Sequence, residues 1–178
     1  MIARSDTLQE PVDIFIAEDD AHDAFVLQQA AGRCGVAPSR MLVVHDGEQA
    51  ARLFRAGHQL SLLRLCVFDL KLPRRSGLEV LRRVRRDPRW ASVPVVILSG
   101  SDLPRDIEAC YQAGASSYVI KHANYDENQC CIENMLRYWL FVNKLPVKAA
   151  YQSFGAICVA PGKLGAKTRA VGRRGGRA

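Results

Sequence analysis

The chain has 178 residues, 48% of them hydrophobic and 24% charged, a globular balance with room for one core of ordinary size. No apolar run approaches the roughly 20 residues of a membrane-spanning helix, and Met1 to Glu10 hold no signal-like apolar stretch, so a soluble cytoplasmic protein without membrane partners is expected. The net charge of +7 comes from the end of the chain: seven of the 25 basic residues and no acids follow Pro146, which leaves 18 basic against 18 acidic residues before it and argues against nucleic-acid binding by the folded part.

In chain order, Val12 to Ala17 (VDIFIA) is short, β-branched and halted by Glu18-Asp19-Asp20, which predicts a buried strand. Ala21 to Gly32 reads as a helix ending on Gly32, Met41 to Val44 as a second strand, and the Asp46-Gly47 turn leads into a helix with Ala50, Leu53 and Phe54 on one face. The third strand, Leu65 to Phe68, runs into Asp69 and a loop with Pro73 and Gly77. A helix carrying Leu78, Leu81 and Val84 follows until Asp87-Pro88 stops it. Val93 to Leu98 is a fourth strand. Ser101 or Asp102 can cap the next helix, with Pro104 in its first turn and Ile107, Cys110 and Tyr111 as its apolar stripe. A fifth strand, Ser117 to Ile120, ends at Lys121, and a last helix from about Asp126 to Val142 buries Ile132, Met135, Leu136 and Trp139 or their neighbours.

Strands alternating with helices imply a parallel sheet covered on both faces, that is, a doubly wound α/β (βα)5 domain over residues 11–146. In the flavodoxin-like strand order 2-1-3-4-5, ligands gather beyond the carboxyl ends of strands one and three. The polar residues there are Glu18, Asp19, Asp20 and Asp69.

Carboxylates gathered at the mouth of a sheet raise one another's proton affinity unless a cation shares them. A hard ion such as Mg2+ favours oxygen ligands, keeps several waters and takes one or two protein carboxylates. Asp19 and Asp69 are candidate direct ligands, Glu18 a ligand through water, and the Lys71 backbone carbonyl a third protein ligand. An aspartate can also be the nucleophile that accepts a phosphoryl group, and Asp69 is the candidate. Ser99 and Lys121, at the ends of strands four and five, lie on the same sheet edge, where a hydroxyl and an ammonium can bind phosphoryl oxygens. Each residue alone has an ordinary explanation as a turn, a cap or a surface lysine. Five chemically matched residues at four strand ends do not.

The pair Glu18-Asp19, the stretch Phe68-Asp69-Leu70-Lys71-Leu72-Pro73 followed by Gly77, Val96-Ile97-Leu98-Ser99, and Ala113-Gly114-Ala115 leading through Tyr118 to Lys121 resemble the response-regulator receiver family (CheY-like superfamily). The resemblance covers about Val12 to Leu145. The run Val44 to Ala50 and a last helix ending in Tyr138-Trp139-Leu140 resemble the single-domain subgroup associated with phytochrome-type and other sensor histidine kinases. The resemblance implies a stand-alone response regulator that takes a phosphoryl group from a histidine kinase or phosphotransfer protein on Asp69 with Mg2+. It also implies that Ser99 moves toward the phosphate and that Tyr118 changes rotamer as the switch residue. Signalling, with no enzymatic turnover beyond slow dephosphorylation, is the implied role.

The family usually has proline after the strand-five lysine, whereas His122 follows Lys121 here; His122 reads as an exposed loop residue. Lys71 sets a cation near the path of a hydrolytic water and is expected to alter phosphoaspartate lifetime. A haloacid-dehalogenase-type phosphatase is disfavoured, because that class wants an aspartate where Lys71 stands. A degenerate receiver that binds partners without phosphorylation is the alternative function. Arg74, Arg75, Arg82, Arg83, Arg85, Arg86 and Arg89 read first as a solvated face and second as a surface that docks an acidic kinase or phosphotransfer protein. The six cysteines, with no C-x-x-C pair, read as buried free thiols. Residues 1–10 are expected to be flexible. Residues 147–178, rich in Gly, Ala and basic side chains, are expected to be disordered, with weak non-specific nucleic-acid binding as their only such role. Tyr138, Trp139 and Phe141 suggest a homodimer, through the last helix or through the face made by helix four, strand five and helix five.

Overall fold

Short apolar runs form the parallel strands β1 (Ile14–Ala17), β2 (Met41–Val44), β3 (Leu65–Phe68), β4 (Val95–Ser99) and β5 (Ser117–Ile120), of which β1, β3 and β4 are buried throughout and the edge strands β2 and β5 only in part. Between and after them lie α1 (Ala21–Arg33), α2 (Gly47–Ala56), α3 (Gly77–Arg86), α4 (Pro104–Gln112) and α5 (Tyr125–Arg137). The computed structural model describes residues 12–57, 60 and 62–146; the expectations for 1–10 and 147–178 lie outside them.

The sheet order is β2-β1-β3-β4-β5, as the flavodoxin-like reading requires, with Ile14 opposite both Met41 and Leu65 and Val96 opposite Ser117. The period-two alternation of strand side chains divides the core. Phe15, Ala17, Cys66, Phe68, Val95 and Ile97 pack with Ala50, Phe54, Val80, Leu81 and Cys110 under α2, α3 and α4. Ile14, Ile16, Leu65, Val67, Val96 and Leu98 pack with Val26, Leu27, Ile132 and Leu136 under α1 and α5. Burial on both faces anchors the carboxyl ends of β1, β3 and β4, and pairing with β4 holds that of β5; the polar residues project from these ends.

Several local expectations are corrected. β1 starts at Ile14 and β4 runs from Val95 to Ser99, so each begins two residues later than expected. Gly32 does not end α1. The helix continues to Arg33, and the chain turns at Gly35, whose φ of 86° suits a residue without Cβ. Neither Ser101 nor Asp102 caps α4: Leu103 stands at the N-cap without a side-chain bond, because the Ser101 hydroxyl donates to the Asp106 carboxylate at 2.6 Å. In α4 only Cys110 is buried, and Tyr111 is exposed. The last helix is α-helical to Arg137. Tyr138–Val142 then forms a π turn, closed by the Asn143 N–H donating to the Tyr138 carbonyl at 2.7 Å. As expected for Trp139 or its neighbours, Leu140 is the fully buried residue of that turn and Trp139 packs partly buried against the same core, while Tyr138 and Phe141 are half-exposed. Cys34, Cys66 and Cys110 are buried thiols, but Cys130 is exposed and Cys131 half-buried.

The arginine-rich segment is only partly a solvated face. Half-buried Arg85 donates to the carbonyls of Gly114 (2.7 Å) and Val93 (2.9 Å) and to the Ser116 hydroxyl (3.3 Å), which ties α3 to the segments flanking β4 and β5. Arg74 pairs with Asp46, Arg75 with Glu48 and Arg89 with Asp87.

Candidate functional site

The carboxyl ends of β1 and β3 are adjacent, so Glu18 and Asp69 follow directly from paired strand residues Ala17 and Phe68. Oxygen atoms of Glu18, Asp19 and Asp69 lie within 4.8 Å of one another. Backbone contacts hold this mouth: the Asp69 N–H donates to the Ala17 carbonyl at 2.9 Å, and the Glu18 N–H to the Val44 carbonyl at 3.0 Å. His45 adds a ring nitrogen 2.9 Å from the Glu18 carbonyl. Asp20 turns away to cap α1, accepting from the His22 and Asp23 N–H groups at 2.8 and 3.0 Å.

Lys121 enters from the end of β5 and is the cation of the pocket. Its ammonium donates to Asp69 Oδ2 (2.8 Å), Glu18 Oε2 (2.8 Å) and Asp23 Oδ2 (2.7 Å). The Lys121–His122 peptide is trans, and the exposed His122 ring stands 3.8 Å from Glu127, an ordinary loop position. The second Asp69 oxygen, Oδ1, accepts from the Lys71 N–H at 2.9 Å, while the Lys71 residue is exposed. The loop after Asp69 must fold tightly to do this. A Cβ on Gly77 would lie 2.0 Å from the Asp69 carbonyl oxygen, and one on Gly47 1.8 Å from that of Arg75. Arg74 takes a left-handed φ of 65° between them, a conformation costly for a residue with a Cβ.

Charge in the pocket is unbalanced. Burial works against the Lys121 ammonium, but its bonds to Asp23, Asp69 and Glu18 outweigh that and raise its pKa above the usual lysine value. Glu18 is 1% exposed, and burial pushes its carboxyl up to about 7 against the opposing pull of Lys121, with Asp69 and Asp23 adding repulsion. A set of three clustered hard oxygen donors, one of them reluctant to ionise alone, suits a divalent cation with oxygen preference.

Ser99 ends β4, fully buried, and its hydroxyl accepts from the Ser101 N–H at 3.3 Å. Tyr118 packs against the core, its hydroxyl donating to the Ser101 carbonyl at 2.8 Å, so the β4–α4 segment links it to Ser99. The structure therefore brings Glu18, Asp19, Asp69 and Lys121 together and seats Ser99 and Tyr118 on the adjoining strands. Sequence reasoning missed Asp23 and His45. Asp23 stands three residues after the cap Asp20, a position whose first-turn acid was the available signal.

A doubly wound sheet with this acidic mouth and a strand-five lysine defines a class, and the chain belongs to it: residues 14–131 match the response regulator receiver domain. Among its relatives, it is 31% identical over 140 residues to a probable methanogenesis regulatory protein, FilR2, of Methanothrix harundinacea, covering 78% of this chain and 90% of that one. It is 28% identical over 145 residues to response regulator Rcp1 of Synechocystis, covering 80% and 98%. The crystal structure of the phosphorylated cyanobacterial phytochrome response regulator RcpA superposes with a TM-score of 0.69 at 28% identity, over 77% of this chain and 99% of that one. Rcp1 has been crystallised in an Mn2+-bound form, with a TM-score of 0.69 and 26% identity.

Proposed function

We propose that this chain is a phosphorylation switch of a two-component phosphorelay, with Asp69 as its phosphoacceptor. The observation that carries this is Lys121, whose ammonium lies 2.8 Å from Asp69 in a pocket shared with Glu18 and Asp19. An Asp69 carboxylate oxygen attacks the phosphorus of a phosphohistidine; the P–O bond forms, the P–N bond breaks, and the imidazole leaves and takes up a proton. Lys121 holds the acceptor and then binds a phosphoryl oxygen. Glu18, Asp19 and Asp69, with the Lys71 carbonyl, are the residues that hold Mg2+, which when bound offsets negative charge on the transferring group. The Ser99 hydroxyl turns to the phosphoryl group. The pull on the β4–α4 segment reaches Tyr118 through its bond to Ser101, which shifts a pre-existing equilibrium of that face.

The partner is a sensor histidine kinase or phosphotransfer protein, and the similarity to Rcp1 and RcpA favours a phytochrome-type kinase. The half-exposed Tyr138 and Phe141 support a homodimer through the end of α5; light scattering of wild type and Phe141→Lys checks it, and an unchanged mass refutes it. Incubation with a small-molecule phosphodonor and Mg2+ tests the switch by intact mass. One added phosphoryl group in wild type and none in Asp69→Asn is the expected result. No addition in wild type favours a phosphorylation-independent binding module.

A further inference from the structure

A well-defined cleft lies away from the acidic mouth. It is a cavity of about 660 Å3 between α2 and α3, carrying six guanidiniums, from Arg55, Arg75, Arg82, Arg83, Arg86 and Arg89, against the two carboxylates Glu79 and Asp87. Six against two leaves an excess of four positive charges on the lining residues, or three once Glu48, which pairs with Arg75, is counted. The carboxylates are already engaged: Glu79 accepts from the Ser76 N–H and hydroxyl, both at 2.9 Å, and Asp87 pairs with Arg89 at 2.7 Å. Arg75 is held by Glu48 at 2.8 Å. The guanidiniums of Arg55, Arg82, Arg83 and Arg86 form no hydrogen bond or close ion pair with any described residue, although Arg83 is half-buried. Glu48, Glu79 and Asp87 offset only part of this charge; like charges left in excess cost stability, so a bound anion relieves them.

From this geometry we infer that the α2–α3 cleft binds an oligophosphate chain, either of a nucleoside triphosphate or of inorganic polyphosphate. The volume is that of a small-molecule site. All the cations are arginines, whose planar fork grips phosphate oxygens in pairs. Balancing this excess inside one cleft needs a dense anion; a triphosphate concentrates its charge on adjacent groups, whereas an acidic peptide spreads it along several residues. Recognition stops at the phosphates. The aromatic walls offer no stacking face, since Trp90 is 4% exposed and Arg89 lies over its ring at 5.4 Å. Arg75 extends the cleft to the acceptor loop, because its backbone packs against Gly47.

Calorimetry of the full chain in EDTA, with tripolyphosphate, ATP and GTP, tests this. The three are expected to bind with indistinguishable affinity if the phosphates alone are read; a preference for ATP or GTP would overturn that. Arg82→Gln/Arg86→Gln, at two exposed positions, is expected to weaken all three by roughly tenfold without lowering the melting temperature. Equal affinity in that variant overturns the site. So does binding that survives there and vanishes in Arg173→Gln/Arg174→Gln, which would assign it to the basic tail. A short oligoglutamate peptide that binds as tightly as tripolyphosphate would make the cleft a protein-docking surface instead.

Discussion

Replacing Lys121 with methionine keeps most of the side-chain volume and removes the ammonium that Glu18, Asp23 and Asp69 share. Glu18 suffers most, being 1% exposed. In the wild-type protein its carboxyl is already pushed up from an ordinary 4.5 to about 7. A raised carboxyl stabilises the fold at low pH, where it is protonated, and this contribution is lost as pH rises through the folded value. Without Lys121, which opposes the rise, the folded value climbs further. At pH 5 Glu18 is protonated in both proteins, and the variant loses the Lys121 hydrogen bonds to Asp23, Asp69 and neutral Glu18 without leaving a buried charge, about 1–2 kcal/mol. At pH 8 the variant must also bury an uncompensated carboxylate or protonate it, which brings the loss to about 3–5 kcal/mol. Urea unfolding of wild type and Lys121→Met in EDTA at the two pH values measures both losses. Addition of Mg2+ at pH 8 is expected to recover much of the second. A loss equal at both pH values, or larger at pH 5, would refute the placement of Glu18 as the buried carboxylate that Lys121 neutralises.

Mg2+ affinity is expected to rise between pH 6 and 8 as Glu18 gives up its proton; a flat or falling affinity by titration calorimetry contradicts this. Gly77→Ala sets a Cβ 2.0 Å from the Asp69 carbonyl oxygen, so the acceptor loop must move, and a loss of about 3 kcal/mol in urea unfolding is expected. Arg85→Met leaves the carbonyls of Gly114 and Val93 without their donor and is expected to cost about 2 kcal/mol, read by the same method. Lys71→Asn is expected to change the dephosphorylation rate of the phosphorylated protein; equal rates refute a role for the exposed lysine beside Asp69.

The sheet and its acidic mouth were legible because each depends on short-range signals: β-branched runs such as Leu65 to Phe68 end directly on a polar residue, and the strand order then decides which ends meet. What escaped depends on contacts between distant residues or on backbone angles. Gly32 and Gly35 are alike as letters, and only the positive φ of Gly35 marks the turn. Ser101 had the chemistry of a cap, but its hydroxyl is bound to Asp106. Asp23 reads as a first-turn acid until Lys121, 98 residues away, is found on it. Arg85 looks like its exposed neighbours, and its burial follows from where the chain passes before β4 and β5. Gly47 reads as a turn residue and Gly77 as a loop residue, whereas each leaves space for a carbonyl of the loop after Asp69.

The central claim is that Asp69 carries the phosphoryl group. Phosphorylated protein reduced with borohydride, which converts an aspartyl phosphate to homoserine, and then mapped by peptide mass spectrometry tests it most directly. The account predicts homoserine at position 69 alone. Homoserine at position 18, 19 or 23, or at none, would contradict it.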